Sequence, residues 1–202
     1  MSDRSAVSPM RMAAAGLVLS VAAFAGWVAK EGDGPTAVRA DGQVVHKPYI
    51  PTKGDVPTIG HGSTRYEDGT PVRLTDAPIT RARAQQLARN LHSEEEVRFK
   101  ASIPDVSLTQ GEYDLYVDFT GQFGIGNWRN SSMRRRLLET RTAPPAQLPS
   151  LYRAACDALL LWKKQDGRDC SLPQNWGPNG CKGVWTRQQE RHAKCLAEQV
   201  AP

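Results

Sequence analysis

The chain has 202 residues, a formal net charge of +5 and a sequence pI near 9.2, and 40% of its residues are hydrophobic. That length holds one sizeable core, at most divided into two lobes, and excludes a string of independent domains. The positive balance suits work beside an anionic lipid or polymer; charge alone does not separate those partners from nucleic acid.

Taken in chain order, the first informative segment is residues 13–29, AAAGLVLSVAAFAGWVA, which is uncharged and stops against Lys30 and Glu31. It lies at the short end of what crosses a hydrocarbon core, and its Ala and Gly content makes insertion weak, so it is expected to enter a bilayer and also to leave it. Arg4 and Arg11, opposed only by Asp3, place the N-terminus in the cytoplasm and everything after residue 30 outside. A cleaved signal peptide ending at Ala25 or Ala29 is the alternative.

Residues 32–78 are dense in Gly, Pro, Asp and Thr, with short β-prone pieces at Gln43-Val44-Val45 and Thr58-Ile59, and read as a small irregular sheet with long loops. From Thr80 the period changes: Ala84, Leu87, Ala88 and Leu91 recur at helical spacing in one long amphipathic helix that Pro104 ends. Thr109-Gln110-Gly111-Glu112 has the order of a capping box ahead of Tyr113, Tyr116, Val117 and Phe119 and predicts a second helix. Further helices are expected at 131–139, 148–165 and 184–199, separated by Pro144-Pro145 and the Gly/Pro/Asn-rich stretch around Trp176–Gly180. The sum is an α+β architecture, a small β-containing lobe followed by a helical lobe with a cleft between them.

All four cysteines, Cys156, Cys170, Cys181 and Cys195, lie in the C-terminal quarter. An even count in an exported chain predicts two disulfides with three possible connectivities. A zinc site is disfavoured because no Cys-x-x-Cys pair or close Cys/His spacing is present.

Three blocks carry the chemistry. Glu31-Gly32 precedes Thr58-Ile59-Gly60-His61-Gly62; Leu108-Thr109-Gln110 precedes Phe119–Trp128 and Ser131-Ser132-Met133; Gly183-Val184-Trp185-Thr186-Arg187 precedes Glu190. In that order they resemble the phage-type lysozymes, glycoside hydrolase family 24, over residues 31–195. The weak apolar N-terminus is similar to that of the signal-anchor-release endolysins within the family. The resemblance implies a releasable signal-anchor in residues 1–30 and a lysozyme-like catalytic domain in residues 31–202. It further implies inverting, metal-free and cofactor-free hydrolysis of the β-1,4 bond between N-acetylmuramic acid and N-acetylglucosamine in peptidoglycan. The expected protein is a monomer that binds no nucleic acid, is held in the host inner membrane through residues 13–29, and reaches the periplasm after release.

Glycosidic cleavage needs a protonated acid beside the leaving oxygen and, for inversion, an opposite carboxylate that activates water. The resemblance makes Glu31 the acid and Thr58 the residue that orients the water through its hydroxyl. The second carboxylate departs from the family pattern: Ala40 and Pro51 stand where an Asp is expected. Asp55, in the turn before Thr58, is preferred to Asp41, and Asp33 is too near Glu31 in sequence to stand opposite it easily. His61 reads as a packed or partly exposed strand histidine rather than a catalytic one. Gln122 and Asn127 are candidates to hydrogen-bond sugar amides, Phe119 and Trp128 read as core, and Arg134-Arg135-Arg136 as a solvated helix face. Two rivals are a lytic transglycosylase, which needs one Glu and no second carboxylate, and a membrane-anchored wall-binding protein without activity.

Overall fold

The structure is a computed structural model that describes residues 10–199, the side chains of Lys30 and Glu31 excepted. The chain divides into two compact units: Leu19–Arg98 form one, and the described residues up to Val18 together with those from Phe99 onward form the other.

The apolar N-terminal run is not one helix. It is divided among strand β1 (Met12–Ala13), a 3-10 turn at Ala14–Gly16, an extended Leu17 and helix α1 (Val21–Glu31). Among the described residues no helix is long and apolar enough to cross a membrane. The break has a local cause: Ser20 is extended at φ −65°, ψ 154°, and its Oγ accepts from the Ala23 N–H at 3.1 Å, so the helix starts there. Gly32, at φ 73°, ends it while donating its N–H to Val28 O.

In the Leu19–Arg98 unit, β2 (Thr36–Val38), β3 (Val44–His46) and β4 (Ile79–Thr80) form an antiparallel sheet in that order. Thr36 is opposite His46, Val38 opposite Val44, and His46 opposite Ile79. Three isolated bridges, Tyr49 with Thr58, Ile59 with Ser63 and Arg65 with Pro71, continue the irregular β character expected here. Helix α2 (Arg81–Ser102) starts where Thr80 Oγ1 accepts from the Arg83 N–H. Ala84, Leu87 and Ala88 are buried, as their spacing predicts. Leu87 closes a small core with Ile59 and Val72, against which Tyr66, Ile79 and Leu91 pack. Gly60, at φ 62°, has no room for a side chain, because a Cβ there would lie 2.8 Å from that of Ala84. At the other end of the unit Phe24 packs edge-on to His92 and beneath the Arg89 guanidinium, 4.3 Å from its ring centre.

The second unit is mostly helical. β1 pairs antiparallel with β5 (Ser107–Leu108). Helix α3 (Gln110–Phe123) carries the expected capping box, with both the Thr109 and the Glu112 halves formed. Helices α4 (Ile125–Arg129), α5 (Ser132–Glu139, capped by Ser131), α6 (Leu148–Asp157) and α7 (Lys182–Ala197) complete it. Trp128 is fully buried against Phe99, Tyr116 and Phe119, and its indole N–H donates to Ser102 Oγ at 2.8 Å. Phe119 and Trp128 are thus core, as expected. Disulfides join Cys156 to Cys195 and Cys170 to Cys181.

The helix expected over 148–165 is corrected: α6 ends at Asp157, passes through a 3-10 turn at Ala158–Leu161, and gives way to the hairpin β6 (Lys164–Gln165) and β7 (Arg168–Asp169). The hairpin turns at Asp166-Gly167, both at positive φ (51° and 76°), a pair that matches the twist of the flanking strands.

Candidate active site

The residues singled out for catalysis belong to the Leu19–Arg98 unit. Glu31 is the last residue of α1; its side chain lies outside the described residues.

Thr58 is 3% exposed and is fixed by a reciprocal backbone pair with Tyr49, each N–H donating to the other's carbonyl at 2.8 Å. Its hydroxyl donates to Val56 O at 3.1 Å, which leaves the oxygen lone pairs as acceptors. Asp55 is exposed and closes its own turn: Oδ2 accepts from Thr52 N at 3.0 Å and from Thr52 Oγ1 at 2.5 Å, while the Asp55 N–H donates to Thr52 O. Asp41, at the tip of the β2–β3 hairpin, does the same for Gln43 N at 3.0 Å, with Arg39 Nε 3.9 Å away. Both candidates for the second carboxylate therefore carry turn-forming bonds.

Asp33, too near Glu31 in sequence to be preferred, makes contacts with three side chains of the unit. Its Oδ2 accepts from Arg81 Nη2 at 2.6 Å, its backbone carbonyl lies 2.6 Å from His46 Nδ1, and its Oδ1 lies 3.8 Å from His61 Nδ1. His61 Nδ1 is also 2.9 Å from Gly32 O. Both imidazoles are buried, and their rings meet edge-to-face with centroids 5.3 Å apart. His61 is packed, but it sits in the turn between Ile59 and Ser63 rather than in a strand. The sequence reading missed His46: in a short Val-Val-His strand it carries no signal until β3 is paired on both edges.

Two further groups narrow the roles. Arg83 grips Glu67 through two bonds of 2.6 and 2.7 Å and, with Asn90, holds its carboxyl down to about 2, so Glu67 stays ionised and is no proton donor. Burial and the bond from Tyr66 Oη to Asp76 push the Tyr66 phenol up to about 12, so it remains a donor rather than a base.

The residues proposed for sugar contacts lie in the other unit. Gln122 Oε1 accepts from Arg191 Nη1 at 2.7 Å, beside the Arg191–Asp118 ion pair that ties α7 to α3. Asn127 is exposed and donates to Phe123 O. In the basic run, Arg134 donates to the carbonyls of Ser102 and Arg129 and Arg136 pairs with Glu139, so two of the three arginines are held at a half-exposed surface.

A family model described as "Phage lysozyme" matches residues 41–174. No curated protein matches the chain. Among solved structures, an endolysin from Escherichia coli O157:H7 phage FAHEc1 is 21% identical, with a TM-score of 0.63 over 93% of this chain and 98% of that one. A mutant of P22 lysozyme is 24% identical, with a TM-score of 0.61 over 89% and 99%. The muramidase domain of SpmX from Asticaccaulis excentricus is 19% identical, with a TM-score of 0.54 over 92% and 99%. At these identities the solved structures establish a shared lysozyme-like α+β fold.

Proposed function

The chain belongs to the phage lysozyme family, and from that premise we propose an endolysin that hydrolyses the β-1,4 bond between N-acetylmuramic acid and N-acetylglucosamine for host lysis at the end of a phage cycle. It is a glycoside hydrolase of the lysozyme type. The observation that carries the reading is the family match over two thirds of the chain, continued upstream by Glu31-Gly32.

Glu31 is the proton donor. The resemblance to the phage lysozymes gives that role to the Glu of the Glu31-Gly32 pair, which stands at the end of α1. Thr58, held by Tyr49 with its hydroxyl lone pairs available, orients the attacking water. Asp55 is the base that activates this water; for that its carboxylate must give up or share the bond to Thr52. The turn-forming bonds on Asp55 and Asp41 also favour a second reading, a lytic transglycosylase that works with Glu31 alone and leaves an anhydro sugar. Mass spectrometry of the digested murein separates the two by one water.

The enzyme begins tethered. A spanning helix needs about 17–25 consecutive residues, and residues 13–29 cannot supply it while they also form β1, the turn after it and α1. In the folded form Ala14 and Leu17 are buried, Ala14 N donates to Val106 O, and the Arg11 guanidinium pairs with Glu112. Membrane insertion N-in and C-out forfeits all of these, which supports an inactive tethered form that completes its fold on release into the periplasm. The segment's small apolar gain lowers the cost of escape. The protein acts on peptidoglycan as a monomer.

Purified full-length protein and Glu31→Gln are compared on a murein zymogram. The parent clears the gel and the variant does not; clearing by the variant at parental speed refutes the assignment.

A further inference from the structure

The geometry points to a divalent-metal site, suited best to zinc, formed by Asp33, His46 and His61. One ligand atom from each of these side chains lies within 4.8 Å of the other two. Zinc binds imidazole nitrogen at about 2.0–2.1 Å and carboxylate oxygen at about 2.0–2.2 Å, which sets donors about 3.4 Å apart around a tetrahedral ion, so a pair now 4.8 Å apart needs to close by about 1.4 Å. Asp33 is about half exposed and supplies that movement.

Three features prepare the site. First, each Nδ1 faces a backbone carbonyl, His46 that of Asp33 and His61 that of Gly32. A carbonyl only accepts, so each Nδ1 carries the proton and each Nε2 the lone pair. A metal-binding histidine is held in the same way, by donation from its other ring nitrogen. Second, both Nε2 atoms are buried without a hydrogen-bond partner among the described residues, in side chains 0% and 1% exposed. Unpaired buried acceptors are costly, and a metal ion satisfies both at once. Third, Arg81 holds Asp33 Oδ2, the usual placement of an outer partner behind a ligating carboxylate, while Oδ1 lies 3.8 Å from the protonated Nδ1 of His61, so a turn of the exposed Asp33 side chain brings it to Nε2. Two imidazoles and one carboxylate make a borderline donor set that suits zinc rather than calcium or magnesium.

The site lies wholly within the Leu19–Arg98 unit and needs no catalytic assignment. Its consequence does rest on the lysozyme reading: a bound ion clips the backbone just after Glu31 to β3 and to the Ile59–Ser63 turn, so zinc changes the rate of murein hydrolysis. Competing donors are few. All four cysteines are in disulfides, and the other two histidines stand away from this group, His92 near Glu95 and His192 near Asp157.

Zinc chloride is titrated into the full-length protein by calorimetry, and cobalt(II) is added in parallel to read the visible absorption of a low-coordinate site. The expected result is one ion per chain in both. Asp33→Asn, a surface change that leaves the fold intact, weakens zinc by about tenfold or more, and His46→Gln abolishes the cobalt spectrum; His192→Gln changes neither. Absence of binding at 100 µM zinc, or binding unaltered in Asp33→Asn, overturns the site. Binding confirmed in a protein that fails to clear murein upholds the site and refutes only the lysozyme reading.

Discussion

Arg11→Ala tests how far the N-terminal segment is built into the folded enzyme. Glu112 is 1% exposed, and the Arg11 fork reaches it twice, Nε to Oε2 at 3.1 Å and Nη2 to Oε1 at 2.7 Å. The same guanidinium donates to Gln199 Oε1 and lies 3.7 Å over the Tyr152 ring. Removing one partner of a buried ion pair costs about 3–5 kcal/mol, because the remaining charge stays buried. Two facts lower that figure: Arg11 is 26% exposed, and Glu112 keeps the Thr109 N–H at 2.9 Å and Gln199 Nε2 at 2.7 Å. The expected loss is about 2–3 kcal/mol, or about 5–10 °C in Tm for a chain of this size. Urea unfolding followed by tryptophan fluorescence measures it. In a Glu112→Gln background, where no charge is stranded, the same substitution costs less than about 1 kcal/mol. A loss below about 0.5 kcal/mol, or equal losses in the two backgrounds, refutes the reasoning. On the tethered form proposed above, the same contact is forfeited while residues 13–29 occupy a membrane.

Arg83 depresses the folded pKa of Glu67 from 4.5 to about 2, so the stability that pair contributes is complete above pH 4.5 and is lost as pH falls through about 2. Glu67→Gln is accordingly less stable than the parent at neutral pH, and the gap in urea midpoint narrows between pH 4.5 and 2; a gap independent of pH contradicts the pairing. The disulfides differ in the loops they close, 39 residues for Cys156–Cys195 and 11 for Cys170–Cys181. Loop entropy assigns them about 4 and about 3 kcal/mol, so the double serine variant of the first pair unfolds at lower denaturant than that of the second. The reverse order in a urea titration rules out loop closure as the source.

What could be read along the chain was what is enforced over three or four residues. The Thr109–Glu112 box, the Ala84-Leu87-Ala88 stripe, the Ser131 start of α5 and the even cysteine count all act through neighbours in sequence, and each stands as read. The same locality leaves the folded arrangement of other segments unread. Residues 13–29 have the composition of a membrane span, and nothing within the run reveals that Ser20 caps a new helix while Leu17 and Ala14 are buried with the residues from Phe99 onward. Asp166-Gly167 is a hairpin signal, but the apolar run before it reads equally well as helix. At the candidate site the Thr58 motif and the turn character of Asp55 were legible, whereas the Asp33–His46–His61 group was not: its three members come from a helix exit, a strand and a turn. Residue spacing therefore determined the helices and their caps, the family motif and the need for two disulfides. Only tertiary structure decided the cysteine pairing, the partner of Glu112 and the meeting of the two imidazoles, because each joins segments through a long loop whose closure is favoured by burial across the fold and by nothing in the intervening residues.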